Sequence, residues 1–327
     1  MEEKVSKEEL QQAGKIIDKL NQYYNSKVVG QPFLGAALLV AMITNGHILL
    51  ESVPGLAKTT AANVMTDAVS GQFSRIQCTP DLIPSDIIGT QTYNMATNTF
   101  ENKIGPVFAN FVLLDEINRS SAKTQSAMLE AMQEHAVSIG GQTYKLPEVF
   151  VVIATQNPVE QEGTYVLSEA QMDRFLLKVK LDYPKPVDEI EILNRIEADV
   201  FSESHAVAAL EDVQFLQELS KRVYMDDAIK QYIVDIVQAS RNTDKLLKPE
   251  LAQYVTMGAS TRAAISFMEV AKAVALMNGR SYCIPDDVKA MRYAVLRHRV
   301  MLNFAAVADG IKEETIIDGI IGAVKAP

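Results

Sequence analysis

The sequence predicts an α/β protein: an open, parallel sheet layered with helices over residues 46–181, followed by a helical region. Three observations predict it. The runs His47–Leu50, Phe111–Leu114 and Val149–Ala154 are short and nearly all apolar, the pattern of strands buried on both faces. Helical periodicity alternates with these runs, as it does when crossover helices join parallel strands. Tyr183-Pro184-Lys185-Pro186 then punctuates the chain, and the texture beyond it is helical only.

Bulk properties fit this division. A chain of 327 residues suits two domains, since single cores seldom grow past about 250 residues. We place the α/β domain at 1–184 and the helical domain at 185–327. Hydrophobic residues make up 48% and charged residues 22%, enough for a sizeable core. The net charge of −10 and the lack of any Lys/Arg block argue against a nucleic-acid partner. Cys78 and Cys283 stand far apart and the four histidines are scattered, so no zinc site is expected. The first residues do not read as a signal peptide. The longest apolar run, Leu34–Ile43, is too short to span a bilayer, and a cytoplasmic protein is expected.

In chain order, apolar positions from Val5 to Leu20 predict a helix that ends before Val28-Val29-Gly30. Leu34–Ile43 predicts a buried helix closed by Asn45-Gly46. His47–Leu50 predicts a strand, and a helix opens at Lys58. Phe73–Cys78 alternates as a strand and leads into a proline-punctuated connection. Residues 90–107 read as a polar hairpin insertion. Phe111–Leu114 predicts a strand, and Ser120-Ser121 a cap for the next helix. Residues 136–146 read as a second hairpin turning at Gly140-Gly141. Val149–Ala154 and Phe175–Leu181 complete the strands. Helices are expected over 188–199, 211–223, 226–240, 260–278, 285–299 and 312–324.

Candidate chemistry begins at residues 45–60. A strand, a small-residue loop and then Lys58-Thr59 at a helix start form the architecture of a phosphate cradle. Backbone N–H groups of Ser52, Val53, Gly55, Leu56, Ala57 and Thr60, with Pro54 shaping the turn, would face phosphates. Lys58 would reach their oxygens, and Thr59 would ligate Mg²⁺. The competing reading makes Lys58 a solvated helix-start lysine. Asp115-Glu116 closes a buried strand at the edge where open α/β sheets bind ligands. Asp115 would hold the metal's water shell and Glu116 would polarise an attacking water. The alternative is a solvated acid pair. Asn157 ends the next strand and could bond a phosphate or the water; Asn-Pro is also a common turn. Arg174 precedes the last strand and could reach a neighbouring subunit's nucleotide, or pair with Asp173 or Glu169. Arg262 opens a helix in the second domain and could bridge to the phosphates, or bond a nearby acid.

The stretches Glu-Ser-Val-Pro-Gly-Leu-Ala-Lys-Thr at 51–59, Thr-Pro-Asp-Leu-Ile-Pro-Ser-Asp-Ile at 79–87, Gly-Pro-Val-Phe-Ala-Asn at 105–110 and Leu-Leu-Asp-Glu-Ile-Asn-Arg at 113–119 recur together in one family. So do Ala-Thr-Gln-Asn-Pro at 154–158, Glu-Ala-Gln-Met-Asp-Arg-Phe at 169–175, Gly-Ala-Ser-Thr-Arg-Ala at 258–263 and Val-Leu-Arg-His-Arg at 295–299. The chain closely resembles the MoxR branch of AAA+ ATPases from about Val28 to about Arg299. The resemblance implies a five-stranded sheet of order 5-1-4-3-2 and an all-helical lid. It makes about 88–107 the helix-2 insert and about 136–146 the hairpin before sensor 1. It implies that Lys58 and Thr59 bind ATP phosphates and Mg²⁺, that Val28 and Val29 lie near the adenine, and that Asp115 and Glu116 serve metal and water. Asn157 would be sensor 1, Arg174 the arginine finger and Arg262 sensor 2, in cis or in trans. It also implies a hexameric ring and a chaperone-like role in maturing a partner complex or inserting a metal cofactor, often with a von Willebrand factor A domain protein.

Two positions depart from the family pattern. Ser52 stands where Gly is usual, and a positive φ there would cost on the order of 1 kcal/mol. Thr261 replaces a more usual Pro. The expected activity is ATP hydrolysis. Ser52 motivates the alternative of a nucleotide-binding scaffold with little hydrolysis, and related rings motivate a third reading, a DNA-associated motor.

Overall fold

The computed structural model describes residues 5–53, 55–158, 164–200 and 205–327. They gather into two compact units, one of Asp18–Phe175 with Val179–Gln214, the other of Met1–Ile17, Leu176–Lys178 and Phe215–Pro327. Residues 185–214 thus pack with the α/β unit. Among the described residues no helix is long and apolar enough to cross a membrane.

The chain opens with α1 (Lys7–Lys27) and α2 (Pro32–Thr44). Helix α2 starts on Pro32, whose missing N–H is no loss at a helix N-terminus, and stops at Asn45 in the left-handed region. Then follow β1 (Ile48–Glu51), α3 (Lys58–Asp67), β2 (Phe73–Gln77), α4 (Pro84–Ile88), β3 (Gly89–Asn94), β4 (Thr99–Ile104) and β5 (Phe111–Asp115). Helix α5 (Ala122–Glu134) is capped by Ser121, which accepts from the N–H of Thr124, as the sequence predicts. After it come β6 (Ala136–Ile139), β7 (Gln142–Lys145), β8 (Val151–Gln156), α6 (Glu169–Met172), β9 (Leu177–Lys180) and α7 (Pro186–Glu197).

The main sheet has the order β2-β5-β8-β1-β9. Numbering only these five strands along the chain gives 5-1-4-3-2, the predicted order. β5 pairs in parallel with β2 on one side and β8 on the other, and β8 pairs with β1. The central strands carry the core. Phe111, Val112, Leu113 and Leu114 are at most 1% exposed, as are Val151, Val152, Ile153 and Ala154. Full burial of a large apolar side chain contributes roughly 1.5–3 kcal/mol. Strands buried on both faces therefore pin the register, because a shift would move polar ends into the core.

The two polar segments form antiparallel hairpins, β3–β4 and β6–β7. The second turns on Gly140 (φ 57) and Gly141 (φ 80), left-handed positions that glycine takes without penalty. The hairpins brace each other: Asn102 donates to the Ile139 carbonyl and the Tyr144 hydroxyl.

The other unit holds α8 (Leu210–Arg222) from Phe215 onward, α9 (Asp227–Arg241), α10 (Thr243–Leu246), α11 (Pro249–Ala252) and α12 (Thr261–Met277). It continues with α13 (Pro285–Ala290), α14 (Arg292–Leu296), α15 (Phe304–Ala308) and α16 (Glu313–Ala323). Besides helices it carries a small antiparallel ribbon, β10 (Val255–Met257) with β11 (Met301–Leu302). The single helix expected over 285–299 is two: Met291 leaves helical geometry at φ −119, ψ 24. Arg280 holds Asp287 in a two-pronged ion pair that anchors the first of them.

His47 is a buried polar residue of the α/β core with both ring nitrogens bonded. Its Nε2 lies 3.1 Å from the Met132 carbonyl, and its Nδ1 accepts from the N–H of Val152 at 3.1 Å. Both bonds fit only the neutral ring with the proton on Nε2. Burial pushes its pKa down to about 4. The unfolded chain therefore takes up a proton below about pH 6.5 that the folded chain refuses until about pH 4. Stability falls as pH falls through that window. We expect the unfolding free energy of wild type to drop by about 3 kcal/mol more than that of His47→Gln between pH 7 and pH 4, measured by denaturant titration.

Candidate functional site

The carboxyl ends of the parallel strands open onto a cavity of about 710 Å³, a volume suited to a small-molecule ligand. Its walls come from Lys27, Val28 and Val29 after α1, the segment from Gly55 to Thr60, Arg75 and Gln77 of β2, Asp115 and Glu116 at the end of β5, Asn157 after β8, and Ile192 and Ile196 of α7.

The cradle is built at Ala57. This residue is the N-cap of α3 and sits in the left-handed region (φ 53), with Gly55 also left-handed (φ 84). Ala57 turns the chain so that its carbonyl accepts the Ala61 N–H at 2.8 Å and the helix begins at Lys58. An alanine held at this φ costs on the order of 1 kcal/mol, a strain of the kind that collects at functional loops. The expected strain at Ser52 is absent: Ser52 is not among the positive-φ residues. It is 3% exposed, donates its N–H to the Gln156 carbonyl as a continuation of β1, and has a buried hydroxyl without a hydrogen-bond partner among the described residues. Extending the strand fixes its backbone, so glycine's freedom is not needed there. Ser52 and Val53 stand outside the cavity lining, and Pro54 lies outside the described residues.

The acids are held by the neighbouring strands. Asp115 is 9% exposed. Its Oδ1 accepts from the Thr155 hydroxyl at 2.8 Å, and its Oδ2 accepts from Arg75 Nη2 at 2.5 Å. The same Thr155 oxygen accepts the Glu116 N–H at 2.9 Å. Glu116 is left-handed (φ 58), so the strand turns sharply right after Asp115. Its Oε2 accepts from Gln77 Nε2 at 3.2 Å and from Arg119 Nη1 at 3.0 Å. Behind this edge, Cys78 is buried and its thiol is pushed up to about 12, first by desolvation and also by the nearby Asp115 and Glu116 charges; it stays protonated and unreactive. Asn157 is 6% exposed and faces the same cavity.

The structure thus brings Val28, Val29, Gly55, Leu56, Ala57, Lys58, Thr59, Thr60, Asp115, Glu116 and Asn157 to one cavity. It does not bring Arg174 there. Arg174 is exposed, in the turn between α6 and β9. Arg262 belongs to the other unit, at the start of α12, where Ser260 accepts its N–H at 3.0 Å. The oxygen donors at the cavity, the Thr59 hydroxyl and the Asp115 carboxylate, have the chemistry Mg²⁺ prefers, since that ion uses one or two protein oxygens and completes its shell with water and phosphate.

Sequence reasoning missed Arg75, Gln77, Thr155, Ile192 and Ile196. A signal existed for three of them. Arg75 and Gln77 alternate with Ser74 and Ile76, so they share one face of β2. Thr155 is a hydroxyl at the end of an apolar strand. Ile192 and Ile196 carry none, because their place depends on how α7 packs.

Residues 47–177 match the family model described as "ATPase family associated with various cellular activities (AAA)", and residues 250–320 match an AAA lid domain. The chain is 45% identical over 300 residues to "Chaperone MoxR1" of Mycobacterium tuberculosis, covering 92% of this chain and 79% of that protein. It is 26% identical to "Protein MoxR" of Paracoccus denitrificans, with 92% of each chain covered. A crystal structure of a candidate ATPase from Cytophaga hutchinsonii superposes with a TM-score of 0.90 at 43% identity, over 98% of this chain and 97% of that one. With the matched sheet order, these relationships show that the chain belongs to the MoxR family of AAA+ ATPases.

Proposed function

We propose that this protein hydrolyses ATP and uses the energy to remodel or mature a partner protein complex. The observation that carries the reading is the convergence of Lys58 and Thr59, Asp115 and Glu116, and Asn157, from three separate strand ends, on one cavity. The apolar end of that cavity, with Val28, Val29, Ile192 and Ile196, takes the adenine. Backbone N–H groups of the loop and the start of α3 take the phosphates, and Lys58 pairs with their outer oxygens. Ser52, Val53 and Pro54 serve as the strand-to-loop frame of this cradle. Thr59 and Asp115 would hold Mg²⁺, which when bound would supply positive charge to offset that of the phosphates.

Hydrolysis then depends on placement. Glu116 accepts a proton from the attacking water and aims it in line with the leaving group. Thr155 positions both acids at once, through Asp115 Oδ1 and the Glu116 N–H. Asn157 bonds the γ-phosphate or the water. Arg174, exposed in its own protomer, reaches the nucleotide of a neighbouring protomer, and Arg262 adds a second positive charge from the helical lid. These roles require a closed ring, with six protomers as the expected number.

The client is a protein complex rather than nucleic acid, in keeping with the net charge of −10 and with the relative named as a chaperone. Insertion of a metal or another cofactor into that complex, help from a von Willebrand factor A domain partner and a cytoplasmic location complete the proposal.

Three outcomes test it. Glu116→Gln should bind ATP with an affinity close to wild type while steady-state ATPase with Mg²⁺ falls by about 10²–10⁴-fold; unchanged turnover removes Glu116 from the mechanism. Thr155→Val keeps the shape but frees neither acid of its burial, so turnover should fall about 10–100-fold with nucleotide affinity changed far less. Arg174→Ala should be inactive alone. Mixed with Lys58→Ala protomers it should recover part of the activity, because the mixed ring contains sites with an intact cradle and an intact neighbouring Arg174; no recovery at any mixing ratio sinks the trans assignment.

A further inference from the structure

The two oxygens of Asp115 have different surroundings. Oδ1 points inward and accepts from the Thr155 hydroxyl at 2.8 Å. Oδ2 accepts from Arg75 Nη2 at 2.5 Å. Sheet geometry imposes this pairing. In the parallel register Arg75 sits beside Leu113 and Gln77 beside Asp115, so Arg75 and Asp115 are diagonal neighbours on one face of the sheet. Arg75 and Asp115 both line the nucleotide cavity, and the Arg75 side chain is half exposed. The oxygen through which Asp115 would serve a metal ion thus already carries a cation of the chain itself.

We infer that Arg75 is a resident counter-ion for Asp115 that competes with the divalent metal and gives up Oδ2 when metal and nucleotide enter. The inference rests on the nucleotide-site reading above. Two cations cannot share one oxygen along one direction without repulsion. The guanidinium has a second acceptor ready, since Nη2 also lies 3.3 Å from Gln77 Oε1, so it can release Asp115 and remain in the cavity. Its exposure keeps the exchange shallow: a half-solvated ion pair holds back metal by a few-fold, not by orders of magnitude. Arg75 on this account sets how strongly Mg²⁺ tightens nucleotide binding, and guards against a bare carboxylate when the cavity is empty.

The experiment measures binding of a fluorescent ADP analogue to the full chain, in EDTA and in saturating Mg²⁺, and takes the ratio of the two dissociation constants. We expect Arg75→Gln to raise the factor by which Mg²⁺ tightens binding by about fivefold, with Arg75→Lys, which keeps the charge, raising it by less. In an Asp115→Asn background the factor should collapse and Arg75→Gln should no longer change it. A factor that is unchanged or smaller in both Arg75 variants, with Asp115→Asn still abolishing the Mg²⁺ effect, overturns the competition while leaving the nucleotide site intact. The competition is likewise overturned if Arg75→Gln raises the factor equally in the Asp115→Asn background, since Arg75 would then act on phosphate and not on Asp115. No binding of the analogue by wild type removes the site reading and this inference together. Thermal melting of each variant reports folding, and Arg75→Lys alone decides the question should Arg75→Gln not fold.

Discussion

The pairing of β5 with β8 is the constraint on which the rest of the α/β unit depends. Both strands are buried on both faces, and their side chains from Phe111 to Leu114 and from Val151 to Ala154 are almost fully removed from water. A one-residue slip between them would take the buried Asp115 carboxylate away from the Thr155 hydroxyl, at a cost of several kcal/mol if the buried charge were left unpaired. The register is therefore fixed by hydrophobic burial, and the polar ends that follow are carried to one edge as a consequence. The bond from Thr155 to Asp115 and the bond from Glu116 to Thr155 then lock the two strand ends together where the apolar contacts stop.

Polar groups along that edge form one continuous chain of bonds. Thr155 joins Asp115 to the backbone of Glu116, Arg75 joins Asp115 to Gln77, and Gln77 joins back to Glu116, which also receives Arg119. Neither acid stands alone. Such a network holds two like charges close together without leaving either unpaired, and it gives each acid a partner that a ligand must replace or share. Two of the non-glycine residues held in the left-handed region, Ala57 and Glu116, line the same cavity. Both are kept there by bonds outside themselves, Ala57 by the start of α3 and Glu116 by Thr155.

The hairpins β3–β4 and β6–β7 answer to a different logic. Their strands pair only within each hairpin and the two hairpins cross-brace through Asn102, while Val137 and Ile139 of β6 are buried in the core. Tyr93 and Phe100 pack against each other on β3–β4 while remaining largely exposed, and Met95 near its tip is almost fully exposed. The contacts of β3–β4 are therefore separate from the buried register of the main sheet.

The sequence by itself determined the strand order's ingredients: apolar runs long enough only for buried strands, a Lys-Thr at a helix start, an acid pair at a strand end and a Gly-Gly turn. Local signals of this kind survive because each depends on a few neighbouring residues, as the Ser121 cap and the Asn45 stop also do. Position 52 departs from expectation because sequence pattern alone puts glycine's freedom at the start of the loop; the extension of β1 by the Ser52 bond to Gln156 moves the left-handed turn to Gly55 and Ala57. The break at Met291 is equally hidden, since residues on both sides keep helical spacing. Only the tertiary structure decided that Thr155 bridges the acids, that Arg75 and Gln77 reach across from β2, and that Ile192 and Ile196 of α7 close the cavity. The reason is physical: the bonds that Arg75, Gln77 and Thr155 make to the acids join residues 39 or 40 positions apart, and their partners are chosen by sheet register, as those of α7 are by helix packing, which no short stretch of chain encodes.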